Sequence, residues 1–315
     1  LIQNDNTMIR IITTILALAS LPLLVQAQQL PLPGMIRTTD YLWNPALAGH
    51  PGEWGAHANY QQSWLGFDGA PVTGIVGGSI NLEDYRMGLA ADILYDQTGP
   101  LRFTGLAVAY KYQFNIGFLD DDDRLSIGIL GNLGQRRYDP SQAKVSDQVD
   151  PLLTGDAGSQ FNVNAGAGIL YRTVADDDLD ESHFFVGLGA NQLVPYNLSF
   201  NDASPYGNRI HANAVLGWRT GRYLYFDHTF WLNYADVNLY NLAYQFRIEN
   251  PDVFWAGLNL NSSLNFGLES GVILDGSWAN ADQFRIGALG MYNIGVNGSN
   301  QGFSFAVNFE LVRSF

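Results

Sequence analysis

About fourteen stretches of this chain alternate large apolar residues with small or polar ones, each near the roughly 9–11 residues a tilted membrane strand needs. Strict alternation places one set of side chains on each face of a strand. The runs fall at 54–64, 71–82, 86–95, 102–115, 124–135, 160–172, 183–192, 208–219, 222–232, 237–248, 253–262, 264–274, 283–293 and 303–315. In the fourth, Leu106, Val108, Tyr110, Tyr112 and Phe114 oppose Gly105, Ala107, Ala109, Lys111 and Gln113. The tenth sets Tyr240, Leu242, Tyr244 and Phe246 against Asn241, Ala243, Gln245 and Arg247. The twelfth sets Leu264, Phe266, Leu268 and Val272 against Asn265, Gly267, Glu269 and Asp275. Charges therefore collect on the face with small residues or at strand ends, where a wet lumen and the membrane rims hydrate them.

The last run fixes the expected topology. Phe303, Phe305, Val307, Phe309, Leu311 and Phe315 alternate with Ser304, Ala306, Asn308, Glu310 and Ser314. The sequence stops on this strand, with an aromatic as its final residue. An open strand edge leaves N–H and C=O groups that find no water in a bilayer. The expectation is an all-β fold: a closed antiparallel transmembrane β-barrel of about fourteen strands, with 303–315 pairing back to 54–64. Arg313 falls on the apolar face and fits only at headgroup level, where a long basic side chain snorkels. Periodicity alone does not separate this barrel from a secreted β-sandwich with its rings turned inward. Composition favours the barrel: 15% charged, 13% aromatic and 34 glycines, with a mean hydropathy of −0.04, is what averaging lipid-facing and lumen-facing residues gives.

Residues 8–27 read as a secretory signal peptide, with Arg10, an apolar run and a small-residue cleavage site at Val25, Gln26 and Ala27. Residues 28–53 lack alternation and are expected inside or beneath the barrel, as a lumenal or periplasmic plug, and 54–315 form the barrel. An even strand count puts both barrel ends on the periplasmic side. Short turns then face inward, and the longest loops, 136–159 and 193–207, face outward, the usual asymmetry of such barrels. The outer membrane is the expected location, with the lipid bilayer itself as a partner.

The chemistry points away from catalysis. Net charge is −14 with only 16 Lys and Arg, which disfavours nucleic acid, since phosphate binding needs clustered cations. There is no cysteine, hence no disulfide, zinc thiolate or thiol nucleophile. The five histidines are scattered without metal-ligand spacing, no nucleophile elbow, P-loop or dinucleotide glycine pattern occurs, and no cofactor or enzyme activity is expected. The acidic turns holding Asp120, Asp121, Asp122 and Asp123, and Asp176, Asp177 and Asp178, lack the glycine and spaced acids of a calcium loop. They are read as solvated hairpins and as contacts for a periplasmic partner.

Two blocks near the start carry a resemblance. Asn44-Pro45-Ala46-Leu47-Ala48-Gly49, then Trp64-Leu65-Gly66-Phe67-Asp68-Gly69-Ala70-Pro71, with the spacing between them, resemble the PorP/SprF family of type IX secretion outer-membrane proteins. Weaker landmarks follow at Tyr138-Asp139, Asp150-Pro151, 162–171, 185–188 and 191–193. The resemblance implies a binding and assembly role in type IX secretion and gliding. The implied partners are the C-terminal domain of a large secreted adhesin, together with lipoprotein components of the periplasmic ring. Asn44, Pro45, Ala46, Gly49, Trp64, Gly66, Phe67, Asp68, Gly69 and Pro71 become the candidate partner-binding residues; equally, Asn44 and Pro45 fit a role in fixing the N-terminal segment in the lumen, and 64–71 a membrane-rim girdle with a tight hairpin. The alternative is a channel for small solutes, porin-like or like the fatty-acid transporters, which would use an open lumen or lateral gap beside Gly77, Gly78, Gly128 and Gly131.

Overall fold

The computed structural model describes residues 37–50, 53–119, 122–142, 158–173, 182–195, 197–198, 206–207, 209–236, 239–294 and 301–314. The expected signal peptide, Phe315 and the acids Asp120, Asp121, Asp176, Asp177 and Asp178 lie outside the described residues.

The strands are β1 (Glu53–Gln62), β2 (Val72–Leu82), β3 (Met87–Thr98), β4 (Leu101–Asn115), β5 (Arg124–Tyr138), β6 (Gly158–Arg172), β7 (His183–Asn191), β8 (Asn197–Leu198), β9 (Tyr206–Gly207), β10 (His211–Thr220), β11 (Tyr225–Asp236), β12 (Leu239–Asn250), β13 (Phe254–Asn261), β14 (Asn265–Asp275), β15 (Gln283–Asn293) and β16 (Gly302–Ser314). β8 and β9 pair only with each other, inside the outer connection between β7 and β10. The other fourteen close into one antiparallel barrel, as expected. Its seam joins β1 to β16, from Glu53 opposite Ser314 to Gln62 opposite Phe305.

The two faces divide as the alternation requires. Val76, Ile93, Phe161, Leu188 and Leu268 stand exposed on the outside, whereas Asn59, Lys111, Gln113, Asn213, Gln245, Arg247 and Glu249 are buried within. So large an apolar belt is stable only when hydrocarbon covers it. Glu53 and Ser314 lie at one end, with the connections 83–86, 116–123, 173–182, 221–224, 251–253 and 276–282. The two longest connections, 139–157 and 192–210, lie at the other, so the first end faces the periplasm. At that rim the Arg313 guanidinium donates to the Asn280 carbonyl at 3.2 Å.

Strand ends differ from the sequence reading where alternation fades before pairing does. β5 continues through Gln135, Arg136 and Arg137 to Tyr138, paired on both sides. Outside the membrane a ladder needs no lipid-facing side, so polar residues occupy both faces there.

The described part of the N-terminal segment, 37–50, crosses the lumen as two 3-10 turns, Arg37–Leu42 and Pro45–Leu47. Two buried apolar clusters form where it meets the wall. Tyr41 and Ala48 pack with Ala90, Ala107, Ala109 and Leu130. Trp43 and Ala46 pack with Leu170, Val215 and Trp231. These contacts give the polar lumen a core.

Candidate functional site

The wall receives this segment along one row of directly opposed residues. Gly88 on β3 faces Lys111 on β4, Lys111 faces Gly128 on β5, Gly128 faces Gly168 on β6, and Gly168 faces Gly189 on β7. Asn213, Asn233 and Asn241 continue the row through β10, β11 and β12. A Cβ at Gly88 would collide with the Ala48 carbonyl, at Gly128 with Pro45 and Ala46, and at Gly168 with Asn44. At Gly189 it would come within 3.1 Å of the Trp43 carbonyl. Glycine is needed here for close backbone approach, because any side chain would occupy the segment's place.

Polar side chains then grip the segment's main chain. The Trp43 carbonyl accepts from Asn191 Nδ2 at 2.6 Å and Asn213 Nδ2 at 2.8 Å. Lys111 Nζ donates to the Gly49 carbonyl at 2.6 Å. Asn59 Nδ2 donates to Thr38 Oγ1 at 3.2 Å, and Arg37 Nη1 reaches Asp227 Oδ2 at 3.1 Å. Asn44 caps the second turn: its Oδ1 accepts from Ala46 N at 3.1 Å, while its Nδ2 donates to the Ile169 carbonyl at 3.3 Å. Gly49 takes a left-handed φ of 71°, and a Cβ there would lie 2.6 Å from the Ile80 carbonyl.

Asn44→Ala therefore removes a cap and leaves buried groups without partners, which costs about 1–3 kcal/mol. Hydrogen exchange should show amide protection in 43–49 falling roughly 10- to 100-fold, with the strand amides unchanged. Equal loss in the strands would mean that the segment supports the whole barrel.

The second block lies elsewhere, over the outer end of the seam. Trp64 N donates to Ser304 Oγ at 3.0 Å and Leu65 N to the Phe303 carbonyl at 2.7 Å, both on β16. Ser63 N donates to the Pro71 carbonyl at 2.9 Å, and Gly99 N, between β3 and β4, to the Gly69 carbonyl at 3.0 Å. Left-handed φ values at Gly66 and Gly69 fold the loop tightly. The block latches β16 and the β3–β4 turn onto the β1–β2 hairpin and leaves Trp64, Leu65, Phe67 and Asp68 exposed. The structure thus separates the candidates: Asn44, Pro45, Ala46 and Gly49 are in the lumen, and residues 64–71 are at the outer rim.

Asp123 corrects the reading of the acidic turn. It is fully buried, its Oδ2 accepts from Leu119 N at 2.7 Å, and it also accepts from the Tyr171 hydroxyl. It fixes the β4–β5 turn and offers no surface to a partner; its neighbour Asp122 is exposed. Asp139 opens one of the two longest outer connections and accepts from Ser141 Oγ at 2.6 Å and Gln142 Nε2 at 3.2 Å. The Ser141 hydroxyl chiefly holds the Asp139 carboxyl below the usual carboxylate range.

Sequence reasoning missed a network at the periplasmic end of the lumen. Glu249 lies 3.0 Å from Arg285, 3.4 Å from Arg247, 3.7 Å from Arg37 and 3.8 Å from Arg219. Asp227 pairs with Arg219 at 2.7 Å and with Arg37. The signal was present, since Arg219, Asp227, Arg247, Glu249 and Arg285 fall on inward positions near strand ends and Arg37 opens the crossing segment, but convergence from separate elements is invisible in any one of them. His57 and Asp92 form a separate buried pair at 2.9 Å. Among the described residues no group of three or more His, Asp or Glu could hold a metal.

A closed fourteen-strand barrel with an apolar outer belt, a polar lumen and an internal segment is an outer-membrane protein. The family model for the type IX secretion system membrane protein PorP/SprF matches residues 25–311. The chain belongs to that family. Among solved structures it is similar to the toluene transporter TodX of Pseudomonas putida, at 9% identity and a TM-score of 0.51, covering 91% of this chain and 99% of that one. A FadL homologue of Pseudomonas aeruginosa is similar at 10% identity and TM-score 0.47, over 86% and 93% of the two chains. CdiB of Acinetobacter baumannii is similar at 9% identity and TM-score 0.43, over 82% of this chain, which spans 60% of CdiB. No curated protein matches the sequence.

Proposed function

We propose that this barrel binds the C-terminal domain of a large secreted adhesin and anchors it at the surface, or assists its export, without catalysing a reaction. Membership of the type IX secretion family supports this reading. The observation that carries it is the division of labour between the two sequence blocks. The first is occupied inside the lumen, whereas the second presents Trp64, Leu65 and Phe67 to the outside, beside the closing seam. Exposed aromatic and aliphatic side chains at a rim suit either the interface with lipid headgroups or a protein partner. The outer connections 139–157 and 192–210 would then select the client. Asp122 and the other periplasmic turns are proposed to meet ring or lipoprotein components, and participation in gliding is part of the same proposal.

Transport of a small solute, the role TodX's name gives that protein, would need a passage through the lumen or the wall. Three of the four glycines that suggested one are otherwise employed, while Gly131 stands exposed with open space beside it. Gly128 admits Pro45 and Ala46, Gly77 makes room for Asp92, and Gly78 lies against the Gly55 carbonyl. The lumen is crossed by residues 37–50, held to both sides of the wall. Deleting the connection 139–157, which leaves the paired ends of β5 and β6 intact, tests the anchoring reading. The barrel should still reach the membrane while a large adhesin appears in the medium; retention of all surface adhesins by the deletion strain overturns it.

A further inference from the structure

We propose that the periplasmic half of the lumen is a binding site for a carboxylate group presented by an acidic peptide, with Arg172 as its principal contact. This site lies at the opposite end of the barrel from the exposed rim block and is independent of client anchoring.

The sequence is acidic overall, yet its cations converge here. Of the 16 Lys and Arg, Arg37, Lys111, Arg124, Arg172, Arg219, Arg247 and Arg285 stand in or at the mouth of this chamber. Most are occupied. Arg37, Arg219, Arg247 and Arg285 surround Asp227 and Glu249, Arg124 reaches Glu83 at 2.6 Å, and Lys111 holds the Gly49 carbonyl. Arg172 differs from them. Among the described residues it has neither a hydrogen bond nor an ion pair; its guanidinium carbon lies 5.2 Å from the centre of the Phe185 ring. A guanidinium over an aromatic face is attracted by the ring and keeps its N–H donors available for an anion.

Register makes the omission costly. Arg172 lies directly opposite Arg124 on β5, and like charges directly opposed across a ladder destabilise a sheet. An anion between them would relieve that repulsion. Space for a carboxylate exists: Arg172, Arg37, Arg247 and His50 line a cavity of about 50 Å³ beneath the crossing segment. Of the two acids lining it, Asp227 is already shared between Arg37 and Arg219, and the other is Asp40. β6 ends at Arg172 on the periplasmic side, so the ligand enters from the periplasm. A guanidinium fork with an open edge takes a carboxylate through two parallel N–H···O bonds. Low local dielectric strengthens such a pair relative to water.

The test uses the full-length barrel in detergent and calorimetric titration with acetyl-hexaglutamate amide, which carries side-chain carboxylates only. Acetyl-hexaserine with a free C-terminus and succinate serve as the other carboxylate sources. Saturable binding that falls as salt rises is expected, and Arg172→Ala should weaken it roughly tenfold or more, the loss of one charge-assisted fork. Arg172→Lys should restore part of the affinity, as a point charge without the fork geometry. Arg313→Ala, at the rim, should leave binding unchanged. Tightest binding of hexaglutamate supports side-chain carboxylates, and of the hexaserine acid a peptide C-terminus. Succinate binding as tightly as either peptide overturns the peptide and leaves a small dicarboxylate. No saturable binding by any probe, or equal losses in the Arg172 and Arg313 variants, overturns the site. Heat-modifiable migration of each variant establishes that the barrel has folded.

Discussion

Removing residues 37–50, or placing leucine at both Gly128 and Gly168, is expected to turn a barrel with few conducting events in planar bilayers into one with persistent open-channel current. Both substitutions put a side chain where Pro45, Ala46 and Asn44 now lie. Either the wall or the segment must yield. The wall there is fifteen residue pairs of β5 against β6, with β5 paired to β4 along its whole length and β6 to β7 over Ala167–Arg172. The segment is held by a handful of side-chain bonds and by the packing of Tyr41, Trp43, Ala46 and Ala48, but it belongs to no ladder. A leucine at either glycine would overlap its backbone or Asn44, so the segment, and not the wall, gives way. A fourteen-strand wall is wider than its own side chains can fill, so clearing it leaves a water-filled path. The deletion and the double substitution should agree in conductance. Unchanged silence after the deletion would show that another part of the chain closes the lumen.

What could be read in advance follows from what each feature depends on. The barrel was legible because lipid outside and water inside impose a period of two on every strand, and residues 303–315 carry it with two exceptions, Val312 on the inner face and Arg313 on the outer. The seam followed from the need to satisfy an edge, and β1 and β16 do pair. The glycine row was not legible. Gly88, Gly128, Gly168 and Gly189 are separated by tens of residues, and only the register of five strands aligns them. Read singly, Gly128 suggests a gap, whereas in register it is a seat for Pro45 and Ala46. The same limit hid the arginines, since Arg219, Arg247 and Arg285 each read as an ordinary strand-end charge. Asp123 failed for the opposite reason: a run of four acids reads as solvated, but the tight β4–β5 turn directs the last of them inward to Tyr171. The pair β8–β9 escaped because two residues are too short to show a period.

Glu249→Gln is expected to destabilise the barrel as a whole, and by more than Asn44→Ala. The carboxylate is almost fully buried and is the common partner of Arg37, Arg219, Arg247 and Arg285. Glutamine keeps the shape and one acceptor but removes the charge, so Arg247 and Arg285 lose this carboxylate while Arg37 and Arg219 are left with Asp227. Breaking a buried ionic network at one partner costs about 3–5 kcal/mol. Hydration of the lumen mouth moves this case to the lower end, about 3 kcal/mol, seen as a lower thermal midpoint of the detergent-solubilised barrel and unfolding on gels at lower temperature. The mechanism has its own signature. Added salt should recover part of the loss in the variant, because ions screen the exposed portion of the arginine repulsion, and should affect the parent chain little. Arg37 belongs to the crossing segment, so the variant should also expose 37–42 to protease before the wall unfolds. An unchanged midpoint would mean that solvent already neutralises the cluster. Loss of stability without salt recovery would instead assign the role of Glu249 to packing.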